Sequence, residues 1–154
     1  MATPSVLTSK CSLLVIEDSD EDFAAFERIA RRASIQNPIY RCSDGDEALS
    51  FLRQIASTET SLASRPSMIL LDLNLPGMDG RDVLRQIKQD TALKTIPVVV
   101  FTTSSNPRDV EVCYQQGVNG YMIKPIDVAQ LKRTIQLFFE YWFGVSLIPG
   151  AVED

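Results

Sequence analysis

Five short apolar runs, each closed by a polar break and followed by an amphipathic stretch, predict an α/β protein: a doubly wound, five-stranded parallel sheet with helices on both faces. Size and composition agree. The 154 residues suit one domain, and 45% hydrophobic with 23% charged residues is an ordinary globular balance, not a disordered one.

The elements follow in order. Ser12–Ile16 reads as a buried strand ended by the polar break Glu17–Asp20. Phe23, Phe26, Ala30 and Ala33 then recur at helical spacing, until Asn37-Pro38 breaks the helix. Ile39–Cys42 is a short second strand. Ser43 or Asp44 can cap a helix with Ala48, Leu49, Leu52 and Ile55 inward. Ser57–Pro66 is a polar loop. Met68–Leu71 is the most apolar strand and ends at Asp72. Leu75–Gly80 is a turn, and Asp79 or Gly80 opens a helix with Val83, Leu84 and Ile87 inward. Ile96–Phe101 is the fourth strand, closed by Thr102-Thr-Ser104. A weaker helix spans about Asn106 to Gln116, and Gly117 stops it. Gly120–Lys124 is the fifth strand, followed by Pro125, and the last helix runs from near Asp127 to about Phe143.

Sheets of this kind hold ligands outside the carboxyl ends of their strands. There the sequence places Glu17 and Asp18 after strand one, Asp72 after strand three, Thr102 after strand four and Lys124 after strand five. Carboxylates crowded on one rim repel unless a cation or proton intervenes. Hard oxygen donors without imidazole or thiolate favour Mg²⁺. The turn Glu17–Asp22 is acidic and lacks glycine, so it is no phosphate-cradling loop.

Other classes fall away. With no histidine, Ser–His–Asp and Cys–His catalysis are excluded, along with the usual zinc sites. A net charge of −5 disfavours nucleic acid. No apolar run reaches membrane-spanning length, and Met1–Lys10 does not read as a signal peptide. Cys11, Cys42 and Cys113 are an odd, scattered set without CxxC spacing, which fits a reducing cytoplasm.

Val15–Asp18, Leu70–Gly80, Phe101–Ser104 and Tyr121–Pro125 together resemble the motifs of the response-regulator receiver domain, of the chemotaxis-regulator (CheY-like) type. The resemblance extends from Cys11 to about Phe143. It implies a (βα)5 flavodoxin-like fold with strand order 2-1-3-4-5. It also implies a single-domain response regulator in a two-component phosphorelay, signalling through protein contacts and not an enzyme in the ordinary sense. Asp72 would accept a phosphoryl group from the phosphohistidine of a sensor histidine kinase. Thr102 and Lys124 would contact the phosphoryl oxygens. Glu17, Asp18, Asp72 and the backbone carbonyl of Asn74 would hold Mg²⁺. Glu17 stands where the family more often has Asp. Thr102 and Tyr121 would form the switch, Asn74 and Ser104 would flank the path of the hydrolytic water, and the Lys124–Pro125 bond would be cis.

The chain's end adds a second expectation. Val128, Leu131, Ile135, Phe138 and Trp142 form a stripe that can dock on the sheet, extended by Leu137. Phe139, Tyr141 and Phe143 lie off it, and Val145–Pro149 adds further apolar surface. The expectation is an exposed patch serving a homodimer through the fourth helix, fifth strand and fifth helix; the competing reading is that the tail folds back as a cover. The aromatic extension and the long loop before strand three are similar to the small receivers paired with bacterial phytochromes, especially cyanobacterial ones. Residues 1–10, 11–144 and 145–154 divide as leading segment, receiver domain and tail. Two rivals remain: a receiver-like binding module that takes no phosphate, and a haloacid-dehalogenase-type phosphatase. The latter wants a second acid two residues after its nucleophile, where this chain has Asn74.

Overall fold

A computed structural model describes residues 11–57 and 65–149. Residues 1–10 and 150–154, and most of the Ser57–Pro66 loop, lie outside the described residues. The strands are β1 (Leu13–Ile16), β2 (Ile39–Cys42), β3 (Met68–Leu71), β4 (Val98–Thr102) and β5 (Gly120–Ile123). The helices are α1 (Asp20–Arg32), α2 (Gly45–Ser57), α3 (Gly80–Gln89), α4 (Pro107–Gln115) and α5 (Val128–Phe139). All pairings are parallel, in the order β2-β1-β3-β4-β5. The expected fold class and strand order hold.

Side-chain alternation divides the core into two layers. Leu14, Ile16, Ile69, Leu71, Val98 and Val100 face α2 and α3, meeting Leu49, Leu52, Val83, Leu84 and Ile87. Leu13, Val15, Met68, Leu70, Val99 and Phe101 face the opposite way, against Phe26 and Ala30 of α1 and Ile135, Phe138 and Phe139 of α5. The first layer is aliphatic; the second is rich in aromatic rings.

Short polar residues start the helices. Ser19 Oγ accepts from Asp22 N at 3.1 Å, Asp44 Oδ1 from Glu47 N at 2.8 Å, Asp79 Oδ1 from Arg81 N at 2.8 Å and Asn106 Oδ1 from Arg108 N at 3.0 Å. Gly117 ends the α4 segment at φ +95°, the left-handed backbone that glycine adopts without steric cost.

Three expectations need correction. First, no peptide bond among the described residues is cis, so Lys124–Pro125 is trans, the form that X–Pro bonds ordinarily prefer. Second, the last helix does not run uniformly to Phe143. It is α-helical to Phe139 and continues as a π-helical turn, Glu140–Val145. Val128, placed at the start of the docking stripe, and Leu137, placed as its extension, are both exposed. Third, Phe139 and Phe143 are not an exposed patch: they are 2% and 6% exposed.

The wider turn of a π-helix shifts the residues after Phe139 relative to the 3.6-residue stripe. Phe143 thereby stacks on Phe139 with centroids 5.7 Å apart, and Phe26 and Phe138 complete the cluster. Ile148, 4% exposed, folds back against the same layer, so packing continues past Gly144. Tyr141 alone of the three expected patch residues is exposed.

Candidate functional site

The carboxyl ends of β1, β3, β4 and β5 bring one polar cluster together. Strand register does this: Ile16 pairs with Leu71, and Thr102 with Ile123, so the residues that follow share a rim. The backbone N–H of Lys124 donates to Thr102 O at 2.7 Å, extending that register to the last residue needed.

Lys124 sits at the centre. Its Nζ donates to Asp72 Oδ2 at 3.0 Å, to Asp22 Oδ2 at 3.0 Å, and to Glu17 Oε1. The Lys124, Glu17 and Asp72 side chains are 11%, 7% and 8% exposed, so these pairs are shielded from water. The other oxygens are also engaged: Ser19 N donates to Glu17 Oε2 at 3.2 Å, and Asn74 N to Asp72 Oδ1 at 3.1 Å.

One ammonium among several carboxylates sets the proton affinities. Burial pushes the Glu17 carboxyl up to about 7, although Lys124 pulls it back part way; the Asp72 charge adds to the rise. Lys124 is held protonated well above the ordinary lysine range: burial opposes the charge, but hydrogen bonds and attraction from Glu17 and Asp72 outweigh it.

The carboxylates of Glu17, Asp18 and Asp72 each offer an oxygen within 4.8 Å of the others. Two of them are buried and Asp18 is exposed, giving a hard, all-oxygen donor set open on one side. Such a set fits Mg²⁺ or Mn²⁺. Asn74 is exposed beside it, and its Nδ2 reaches Thr102 Oγ1 and Thr103 Oγ1 at 3.5 Å each. Thr102 is fully buried, and its Oγ1 also accepts from Ser104 N at 3.4 Å. Tyr121 is turned inward against the aliphatic layer, and its hydroxyl donates to Ser104 O at 2.9 Å.

The structure thus brings together Glu17, Asp18, Asp72, Asn74, Thr102 and Lys124 as the sequence anticipates, with Tyr121 one residue away through Ser104. Sequence reasoning missed two residues. Asp22 is the third carboxylate on Lys124; its signal was the acidic run Glu17–Asp22, but periodicity does not say which member turns inward. Arg41 on β2 pins the β1–α1 turn, donating to Glu17 O at 3.1 Å and Asp18 O at 3.3 Å and pairing with Asp20 at 2.7 Å. Gly80 is a further requirement: a Cβ there would lie 2.4 Å from Asp72 O and 2.5 Å from Leu73 Cα. A cavity of about 320 Å³ adjoins the rim, with Glu17, Asp22 and Lys124 at its polar end and Phe23, Phe26, Leu70 and Phe101 among its apolar walls.

Comparison with known proteins agrees with this geometry. The family model for the response regulator receiver domain matches residues 13–136. The chain is 41% identical to the probable methanogenesis regulatory protein FilR2 of Methanothrix harundinacea, over 90% of this chain and 87% of that one. It is 40% identical to response regulator Rcp1 of Synechocystis, over 90% and 93% of the two chains. Among solved structures, the phosphorylated cyanobacterial phytochrome response regulator RcpA superposes with a TM-score of 0.81 at 37% identity, covering 90% of this chain and 98% of that one. The Mn²⁺-bound form of Rcp1 superposes equally well, at 38% identity over 90% and 99%. Receiver domains of this family are phosphoacceptor signalling domains that bind Mg²⁺ at an acidic site, and no helix among the described residues is long and apolar enough to cross a membrane. The chain belongs to the response regulator receiver family.

Proposed function

We propose that Asp72 is the phosphoacceptor of a two-component phosphorelay and that the protein signals through protein contacts, without turning over a substrate of its own. A sensor histidine kinase is the donor. The Asp72 carboxylate oxygen attacks the phosphorus, the donor's P–N bond breaks, and the imidazole leaves with the electron pair. Lys124 orients Asp72 beforehand and, together with the Thr102 hydroxyl, holds phosphoryl oxygens afterwards. Glu17, Asp18, Asp72 and the Asn74 carbonyl would hold Mg²⁺, which when bound offsets carboxylate repulsion and the charge on the phosphoryl group. Thr102 and Tyr121 form the switch, and Asn74 with Ser104 tunes the lifetime of the acyl phosphate.

The observation that carries this reading is the Asp72–Lys124 contact at 3.0 Å, with Glu17 and Asp18 oxygens gathered beside the same carboxylate. The test is incubation with acetyl phosphate and Mg²⁺ followed by intact mass measurement. One phosphoryl group should appear, should require Mg²⁺, and should vanish in Asp72→Asn. An adduct that persists in Asp72→Asn, or none in the wild type, overturns the assignment.

Similarity to RcpA supports a phytochrome as the sensor, and the free, buried Cys42 and Cys113 support a reducing, cytoplasmic setting. Transfer from a phosphorylated phytochrome kinase should outpace transfer from an unrelated kinase; equal rates would sink the pairing. The homodimer through α4, β5 and α5 stands on different residues from those first expected. Tyr114, Ile123, Leu137 and Tyr141 are exposed on these elements and the turn after them, while Phe139 and Phe143 are not available. Beryllofluoride should shift wild type toward dimer in sedimentation, and Tyr141→Asp should not respond. Monomers throughout at micromolar concentration would end the dimer proposal.

A further inference from the structure

A polar chain outside the phosphoryl site links α3, α4 and Tyr121. Arg81, second residue of α3, donates from Nε to Asp109 Oδ1 at 2.9 Å and pairs through a second nitrogen with Asp109 Oδ2 at 2.8 Å. Its remaining nitrogen donates to both oxygens of Asp79, at 2.9 and 3.0 Å. Asp79 is the residue that caps α3. Asp109, in the first turn of α4, also accepts from Ser104 Oγ at 2.6 Å. The carbonyl of that same Ser104 accepts the Tyr121 hydroxyl. The Arg81 and Asp109 side chains are only 28% and 18% exposed, so the bidentate pair is partly shielded and geometrically specific.

We propose that Arg81 and Asp109 are positioning residues that fix Ser104 and thereby hold Tyr121 inward before any phosphoryl group arrives. This rests on the reading of Thr102 and Tyr121 as the switch. Ser104 is two residues past Thr102, to whose hydroxyl its N–H donates, and it is further held through its side chain and its carbonyl. Its side chain is tied to the start of α4, through Asp109 and the N–H of Asn106, and its carbonyl accepts the Tyr121 hydroxyl. Loss of the tie frees the loop after β4, and Tyr121 loses a fixed acceptor. In that reading Thr102 turns toward the phosphoryl group and Tyr121 fills the space it leaves, so a switch preset inward couples favourably to phosphorylation, because linkage between two sites is reciprocal.

The test labels the four tyrosines with 3-fluorotyrosine, assigns Tyr121 by its loss in Tyr121→Phe, and follows it by ¹⁹F NMR without a phosphoryl donor. Asp109→Asn cuts the clamp. Ser104→Ala removes the hydroxyl that donates to Asp109 and accepts from Asn106 N, and leaves the Arg81–Asp109 pair intact. Both variants should move the Tyr121 resonance toward its denatured position and slow phosphorylation by acetyl phosphate about fivefold or more, the low end of ordinary coupling. Ser104→Ala should keep the wild-type melting temperature, which separates positioning from a merely structural role. An unmoved Tyr121 resonance in both variants overturns the clamp. If wild type takes no phosphoryl group while the resonance still moves, the phosphoacceptor reading fails and the clamp stands.

Discussion

The rim at the carboxyl ends of the strands and the aromatic run at the end of α5 both concentrate side chains that no single element can satisfy. At the rim, Glu17, Asp22 and Asp72 reach one ammonium, Lys124, from three separate elements. The meeting of Glu17, Asp72 and Lys124 is dictated by backbone register, since residues that follow neighbouring strands must share an edge, and α1 brings Asp22 to them. At the other place, Phe138, Phe139 and Phe143 bury one another together with Phe26 and Ile148. Their meeting depends on a π-helical turn and on the path of the chain after it. Charge is therefore collected by topology, whereas surplus apolar surface is collected by whatever segment returns to cover it.

The sharpest way to test the first half of that contrast is to remove Lys124. Lys124→Ala leaves Glu17 and Asp72 buried without their counter-ion. Phosphorylation by acetyl phosphate at saturating Mg²⁺ should fall by about two orders of magnitude or more, the usual loss when one fixed charge-stabilising donor is deleted. A rate within tenfold of wild type would mean that Lys124 is a structural cation only.

The second half predicts a divide between neighbouring aromatic residues. Phe139→Ala should cost about 3–5 kcal/mol in urea unfolding, the range for a buried phenylalanine. Tyr141→Ala, two residues on and 53% exposed, should stay within about 0.5 kcal/mol of wild type. If both cost the same, the tail does not cover the aromatic end.

A further variant connects core and rim. In Gly80→Ala the new methyl meets the backbone at Asp72 and Leu73, which have no rotamer with which to yield. Overpacking of this kind costs about 1–3 kcal/mol. The shift should also lower the rate at which Asp72 is phosphorylated, a loss that a stability assay alone would not register.

What was legible in the sequence follows the same division. Strand identity, strand-end chemistry and the inner faces of α2 and α3 depend on local pattern, and Ala48, Leu49, Val83 and Leu84 are all buried as periodicity requires. Glu17, Asp72, Thr102 and Lys124 were locatable because each directly ends an apolar run or lies within two residues of its end. Asp22 was not, because its reach to Lys124 depends on how α1 sits above β1. Arg41 was hidden on an edge strand that gave no functional signal. Phe139 was misplaced because the buried face is wider than the single stripe drawn through Ile135 and Phe138, and Phe143 because a 3.6-residue period does not hold through the π-helical turn Glu140–Val145. The Arg81–Asp109 pair spans 28 residues between two helix starts, a separation about which periodicity is silent.

That pair supplies the smallest effect and a pH signature unlike the rim's. The Arg81 hydrogen bond, then the Ser104 hydroxyl, holds the Asp109 carboxyl below its ordinary value of 3.8. The groups facing it are Arg81 and Asp79 from α3, Ser104 from the loop after β4, Tyr121 from β5 and Cys113 from α4 itself. Of these, Arg81, Tyr121 and Cys113 keep one charge state through mildly acidic pH. A carboxyl whose folded-state value is depressed contributes stability that is complete above the unfolded value and is lost as pH falls through the folded one. The stability difference between wild type and Asp109→Asn, measured by urea unfolding, should therefore be constant from pH 7 to about 5 and shrink as pH drops below 3.8. Asp79→Asn, studied alongside, separates the neighbouring carboxylate's contribution. A difference that grows with acidification would show that Arg81 does not stabilise the charged form of Asp109, and the link from α3 to the switch would lose its electrostatic basis.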